Sequence, residues 1–319
     1  MNVGVLGSGT MGHGIAQVAA VAGHEVSMRD IEGSILSDAM ADVESALDGG
    51  VERGKLNESE KAAALDRLST TTDLAEAVAD ADIVVEAVPE EMDLKRETFA
   101  RTEDHAPADA VIATNTSSLS VTAVASALED PSRAVGTHFF NPPYVMDLVE
   151  VVVAETTGEA TVEFAEGFAE GLGKEPIVVR DSAGFATSRL GIALGVEALR
   201  MLEEGVAGPR EIDRSMELGY NHPMGPIELT DVVGLDVRLD VLEYLREELG
   251  ERFRPPQTLR RKVRAGKLGK KTGEGFYVWE DGEPVAPAGE YATTPGGAAS
   301  GSEATADGAT AAENGGDDR

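Results

Sequence analysis

The chain has no cysteine among its 319 residues. Disulfides, thiolate zinc sites, iron–sulfur clusters and cysteine nucleophiles are therefore excluded. Aromatic residues make up only 4%, with a single tryptophan. No apolar run has the length and purity of a membrane span. Bases are scarce too: 27 Lys and Arg face 58 Asp and Glu, a net charge of −31, and only 8 of those bases are Lys. Such acidity repels nucleic-acid phosphates and anionic membrane surfaces, so neither is an expected partner. High acid with little Lys is the balance of proteins from salt-loaded cytoplasm, such as that of halophilic archaea. There the charge keeps the chain soluble while salt screens its self-repulsion. The alternative is an ordinary acidic protein with an acidic tail. Residues 280–319 hold nine acids and one base, yet the remainder still carries −23. The uncharged first 24 residues lack the basic start of a secretory signal and are broken by Gly4, Gly7, Gly9, Gly12 and Gly14. A cytoplasmic location is expected.

What is present is an alternation of short apolar runs and helical patterns. Strands are expected at Asn2–Leu6, Glu25–Arg29, Ile83–Val88, Ala110–Thr114, Ala134–Phe140, Leu148–Val153 and Ile177–Val179, with helices such as Met11–Ala22 and Thr161–Leu172 between them. This order implies an α/β, Rossmann-type parallel sheet covered on both faces. Residues 34–67 read as two helices broken near Gly49-Gly50 and Gly54, forming an extension. After Asp181 the strand signal stops. Phe185–Glu204, Pro209–Leu218, Leu235–Leu249 and Pro256–Ala265 read as helices, with Pro209 suited to a first turn. The expected organisation is a dinucleotide-binding domain over 1–181, an all-α domain over 182–279 and a disordered acidic tail over 280–319.

Gly7-Ser8-Gly9-Thr10-Met11-Gly12 follows a strand and opens a helix. Gly7 permits the turn, Gly9 lets backbone approach a pyrophosphate and Gly12 lets helix pack on strand. Thr10 and Met11 complete the loop. Asp30, at the end of the second strand, stands where an acid accepts from ribose hydroxyls. It would repel a 2′-phosphate, which favours NAD as cofactor, although Arg29 beside it could bind such a phosphate. The structural alternative is a tight turn without a ligand.

His138 ends a strand, Asn141-Pro142-Pro143 must turn, and the chain returns through Leu148-Val149-Glu150. This length can bring Glu150 beside His138. An imidazole oriented by a carboxylate is a general base. A lone carboxylate in an apolar run is costly unless paired. An isolated strand histidine would more often be structural; the Glu150 partner and the upstream loop reverse that. Ser117, just beyond the strand ending near Thr114, either faces a ligand or caps the next helix. Glu90 and Lys95 are either at a ligand edge or a solvated helix-start pair. From Arg252 to Lys271 nine bases occur without an acid, either to attract phosphates or as a solvated face.

Together these pieces resemble the L-3-hydroxyacyl-CoA dehydrogenase family, including 3-hydroxybutyryl-CoA dehydrogenases, over residues 1 to about 279. The resemblance is carried by the glycine loop, Val85-Glu86-Ala87, Asn115-Thr116-Ser117-Ser118-Leu119, His138-Phe139-Phe140-Asn141-Pro142, Leu148-Val149-Glu150-Val151, Pro223-Met224-Gly225-Pro226 and Gly269–Tyr277. It implies NAD-dependent, reversible oxidation of (S)-3-hydroxyacyl-CoA, as in fatty-acid β-oxidation or butanoate metabolism. It implies His138 as base, Glu150 as its partner, Ser117 on the substrate 3-oxygen and Asn141 orienting the substrate. It places Asp30 on the adenosine ribose, Glu90, Lys95 and Asn115 along the nicotinamide side, and the 34–67 extension near the CoA. It further implies a homodimer through the helical domain. The chain departs from the family pattern at Ala183, usually proline, and at Ser188, usually an asparagine reaching toward the substrate. The alternatives are a related dehydrogenase of a non-CoA β-hydroxy acid and a redox-silent NAD-binding protein. The five histidines show no metal-ligand spacing.

Overall fold

A computed structural model describes residues 1–291. The expected tail beyond residue 291 lies outside the described residues. Eight strands form one sheet: β1 (Asn2–Leu6), β2 (Glu25–Arg29), β3 (Leu68–Thr71), β4 (Ile83–Glu86), β5 (Val111–Thr114), β6 (Ala134–Phe139), β7 (Leu148–Val153) and β8 (Glu175–Arg180). Their spatial order is β3-β2-β1-β4-β5-β6-β7-β8. All neighbours are parallel except β6 and β7. The connecting helices are α1 (Thr10–Val21), α2 (Gly33–Glu52), α3 (Glu58–Asp66), α4 (Leu74–Val78), α5 (Met92–Glu103), α6 (Val121–Ala125) and α7 (Glu159–Gly171).

The central strands are buried on both sides, as continuous apolar runs require. Val5, Ile83 and Val149 pack with Ile15, Val43 and Phe168 of α1, α2 and α7. Leu6, Val84 and Ile112 belong to clusters built with α4, α5 and α6. Strand β3 was not anticipated, because Leu-Ser-Thr-Thr has no apolar alternation and sits at the sheet edge. Helix α2 runs through Gly49 and Gly50, where a break was expected. The glycines instead leave room: a Cβ at Gly50 would lie 3.2 Å from Leu56 Cδ1, the residue folding back from the next turn.

The described residues form two compact units, 1–193 with 241–254, and 194–240 with 255–291. The helices of the later chain are α8 (Thr187–Glu203), α9 (Pro209–Tyr220), α10 (Pro226–Val233), α11 (Leu235–Leu249) and α12 (Gln257–Arg264). Pro209 and Pro226 occupy first turns, and Asn221 in the left-handed region ends α9. The segment is not purely helical. Strands β9 (Tyr277–Glu280) and β10 (Glu283–Pro287) form an antiparallel hairpin. Disorder was expected from residue 280. Composition hid the hairpin signal, Asp281-Gly282, whose positive φ values of 51° and 86° match a tight turn.

Candidate active site

The chain leaves β1 into a loop whose Gly7 and Gly12 leave no room for a side chain. Gly7 has φ +93°, and a Cβ there would meet the Ala87 carbonyl oxygen at 2.6 Å. A Cβ at Gly12 would lie 1.7 Å from the Gly7 carbonyl oxygen. At Gly9 a Cβ would stand in open space, so the loop keeps one open side at the N-terminus of α1. Asp30 faces this loop. Its Oδ2 accepts from Ser8 N at 2.7 Å and Ser8 Oγ at 2.9 Å, and its Oδ1 accepts from Ile31 N. Thr10, Met11 and Asp30 line a cavity of about 580 Å³ with apolar Ile31, Ile35 and Leu94. An anion-ready helix start, an acid and an apolar slot fit a dinucleotide.

His138 and Glu150 are direct cross-strand partners in the β6–β7 register. Imidazole Nδ1 lies 2.7 Å from Glu150 Oε2, and both side chains are buried. The other carboxylate oxygen accepts from Ala186 N (3.1 Å) and Thr187 N (2.8 Å) at the start of α8. Burial pushes the Glu150 carboxyl up, but the bonds from His138 and Thr187 outweigh it and hold the carboxyl below its ordinary value. An ionised Glu150 assigns the proton to Nδ1 and leaves Nε2 as the acceptor. The rings of Phe140 and Phe185 stand 4.4 and 5.8 Å from the imidazole. Phe185 has φ +46°, an uncommon conformation for a bulky residue. Neither Phe185 nor the two amides was singled out in the sequence; the only signal was a glycine just before a helix start.

A second polar cluster sits at the ends of β4 and β5. Lys95 on α5 is fully buried, and its Nζ meets Glu86 Oε1 (2.8 Å), the Val88 carbonyl (3.2 Å) and Glu90 Oε2 (3.3 Å). The ammonium thus donates to Glu86 and the Val88 carbonyl and pairs with Glu90. Glu86 also accepts from Thr114 Oγ1 and Val88 N. Burial pushes Glu86 up against these partners. On Glu90, burial is outweighed by Lys95 and Thr116, and the carboxyl lies below its ordinary value. Glu90 Oε1 collects the Thr116 hydroxyl, Ser117 N and both donors of Ser118. Ser117 is exposed, and the cap of α6 is Ser120 instead. Asn115 Oδ1 accepts from Phe139 N at 2.8 Å, joining this cluster to the residue after His138. Glu86 and Thr116 had not been singled out as site residues.

Asn141 is exposed at the start of the turn between β6 and β7. Pro143 of that turn packs on α1, where a Cβ at Gly14 would lie 2.8 Å from its Cδ. The dinucleotide helix and the His–Glu turn are thus in contact. Ser188 is half-buried in the first turn of α8, next to Thr187. A cavity of about 730 Å³ is lined by Tyr144 and Val145 of the turn, by Lys174, and by Arg53 and Lys55 beyond α2. Much of the basic 252–271 stretch is internally engaged: Lys271 pairs with Asp236, Lys267 with Glu274, and buried Lys262 donates to the Gly275 carbonyl.

Two family models cover most of the chain. The 3-hydroxyacyl-CoA dehydrogenase NAD binding domain matches residues 2–182, and the C-terminal domain of the same name matches 184–279. A probable 3-hydroxybutyryl-CoA dehydrogenase of Bacillus subtilis is 42% identical over 278 residues, 87% of this chain and 96% of that one. The 3-hydroxybutyryl-CoA dehydrogenase of Clostridioides difficile is 38% identical over 87% of this chain and 99% of its own. The crystal structure of an (S)-3-hydroxybutyryl-CoA dehydrogenase from Ralstonia eutropha is similar at TM-score 0.85 and 42% identity, covering 88% of this chain and 99% of that one.

Proposed function

The chain belongs to the 3-hydroxyacyl-CoA dehydrogenase family, and on that premise we propose that His138 and Glu150 carry the acid–base half of its NAD-dependent, reversible oxidation of (S)-3-hydroxyacyl-CoA. The observation that carries this reading is the buried 2.7 Å contact between His138 Nδ1 and Glu150 Oε2. His138 Nε2 takes the proton of the 3-hydroxyl, and Glu150 stabilises the imidazolium that forms. NAD, when bound, supplies the hydride acceptor. Gly7, Gly9, Thr10, Met11 and Gly12 hold its pyrophosphate side, and Asp30 receives the adenosine ribose. Ser117 donates to the 3-oxygen, Asn141 orients the substrate, and Glu90, Lys95 and Asn115 lie along the nicotinamide side. Ser188, shorter than the family's asparagine, reaches the substrate through a bridging water.

The CoA phosphates suit the basic rim formed by Arg53, Lys55 and Lys174. The substrate is short, in keeping with the 3-hydroxybutyryl names of the relatives. The active form is a homodimer through the helical unit, where Leu218 and Tyr220 are about three-quarters exposed (73% and 75%). The enzyme works in a salt-rich cytoplasm, a reading supported by the net charge of −31.

NADH consumption with acetoacetyl-CoA tests the reaction, with NADPH and free acetoacetate as controls. Turnover with the thioester and NADH alone is expected, and turnover with the free acid would redirect the substrate class. Repeating the assay from low to multimolar KCl tests the salt reading. Activity and Tm should rise as the Debye length falls from about 10 Å at 0.1 M to about 3 Å at 1 M. A flat salt profile would discard it.

A further inference from the structure

We infer that Ser8 is a specificity-determining positioning residue: it locks the Asp30 carboxylate in an orientation that admits a ribose hydroxyl and excludes a 2′-phosphate. The inference rests on the reading of Asp30 as the residue that receives the adenosine ribose. The glycine loop and the end of β2 are joined at two successive positions. Gly7 N donates to the Arg29 carbonyl at 2.8 Å, and Ser8 N donates to Asp30 Oδ2 at 2.7 Å. The Ser8 hydroxyl adds a second bond to the same oxygen at 2.9 Å. Ser8 is buried, so water competes little for that hydroxyl, whereas Asp30 is only half-buried.

A carboxylate offers about four acceptor sites. Ser8 fills both at Oδ2, and the Ile31 amide takes one at Oδ1, at 2.7 Å. The site left at Oδ1 can receive a hydroxyl donor. A phosphate oxygen there would be a second negative acceptor facing the first. The remainder of the cavity does not make this choice. Arg29 and Arg101 line it together with Asp30, and guanidinium groups suit a phosphate. Arg29 Nε donates to the Thr72 carbonyl at 3.3 Å, and Arg101 stands 3.8 Å from Glu97 on the exposed face of α5. A carboxylate free to rotate aside would leave these two arginines to receive a 2′-phosphate. The Ser8 hydroxyl holds it in the way. Gly7 and Gly9, on either side, have no side chain with which to do so.

The test measures kcat and KM for NADH and for NADPH, with acetoacetyl-CoA, in wild type, Ser8→Ala, Ser8→Thr, Asp30→Asn and the pair Ser8→Ala with Asp30→Asn. The readout is kcat/KM for NADH divided by kcat/KM for NADPH, a ratio that does not depend on how much of a variant folds. Ser8→Ala should lower this ratio about tenfold, the worth of one hydrogen bond. The change should fall on the two KM values, with kcat at saturating NADH moved less. Ser8→Thr keeps the hydroxyl and should restore most of the ratio. Asp30→Asn should lower the ratio further. Adding Ser8→Ala to it should then change little, because the hydroxyl acts through the carboxylate. An unchanged ratio in Ser8→Ala, or a loss that multiplies with that of Asp30→Asn, would overturn the inference while leaving Asp30 its role. An unchanged ratio in Asp30→Asn would overturn the ribose reading and the inference with it.

Discussion

Glu150 in the sheet unit and Asp213 on α9 of the helical unit occupy nearly the same environment. Both are buried. Each accepts from two successive amides at a helix start, Ala186 and Thr187 for one, Ile227 and Glu228 for the other. Each has one further side-chain donor at 2.7 Å, His138 or Tyr277. Yet Glu150 is held below its ordinary value, whereas burial pushes Asp213 up to about 6 despite its hydrogen bonds. Burial dominates at Asp213, where the nearby Glu228 charge raises the carboxyl further, and the third partner adds to the difference. An imidazole can carry positive charge, while a phenol cannot and is itself pushed up by burial and by Asp213. Similar hydrogen-bond partners therefore leave the carboxyl below its ordinary value in one place and above it in the other.

The comparison is broken most severely by His138→Gln, which keeps a polar side chain but removes the chargeable ring. Turnover should fall by roughly 10²–10⁴-fold. Steady-state rates with acetoacetyl-CoA and NADH check this, and near-wild-type activity would remove His138 from the mechanism.

Acid titration of stability sharpens it next. Asp213 has a folded pKa raised from 3.8 to about 6, so the folded state binds the extra proton between those values. Its stabilisation is present below about pH 4 and lost as pH rises through about 6, amounting to about 3 kcal/mol. Glu150 has the opposite sign: its contribution exists above its ordinary value and is lost as pH falls through the depressed folded pKa. Urea unfolding of wild type and Asp213→Asn at pH 4 and pH 7 should show the variant relatively more stable at the higher pH. A constant difference would mean Asp213 does not titrate in that window.

The smallest effect is expected from Tyr277→Phe. It removes one of three donors to Asp213 and should cost about 1–3 kcal/mol of unfolding free energy with kcat unchanged. A shift in kcat without a shift in the urea midpoint would contradict a purely structural clamp.

Much of the sheet was legible because its strands are buried on both faces and read as apolar runs. β1, β2 and β7 fall on their expected limits. Edge strand β3 was illegible, since an exposed Ser-Thr run carries no burial signal. At the site, Glu150 stood out because a single carboxylate interrupts Leu148–Val153, and its cost demanded a partner. The burial of Lys95 was illegible for the opposite reason. On a helix rich in charge it looks solvent-facing, and only the tertiary placement of Glu86 and Glu90 makes it a core residue. The amides of Ala186 and Thr187 have no side-chain signature at all.

The β6–β7 register ties chemistry to strand alignment in a way that limits how the gene can change length. Side chains alternate between sheet faces, so inserting one residue before Glu150 within β7 would turn it to the opposite face and present Val149 to His138. The carboxylate partner of His138 and the packing of the sheet core would be lost together. Residues 144–147, all exposed and outside both strands, are where length variation can be absorbed. Tolerance to insertion should therefore drop abruptly at Leu148 rather than fade along the chain.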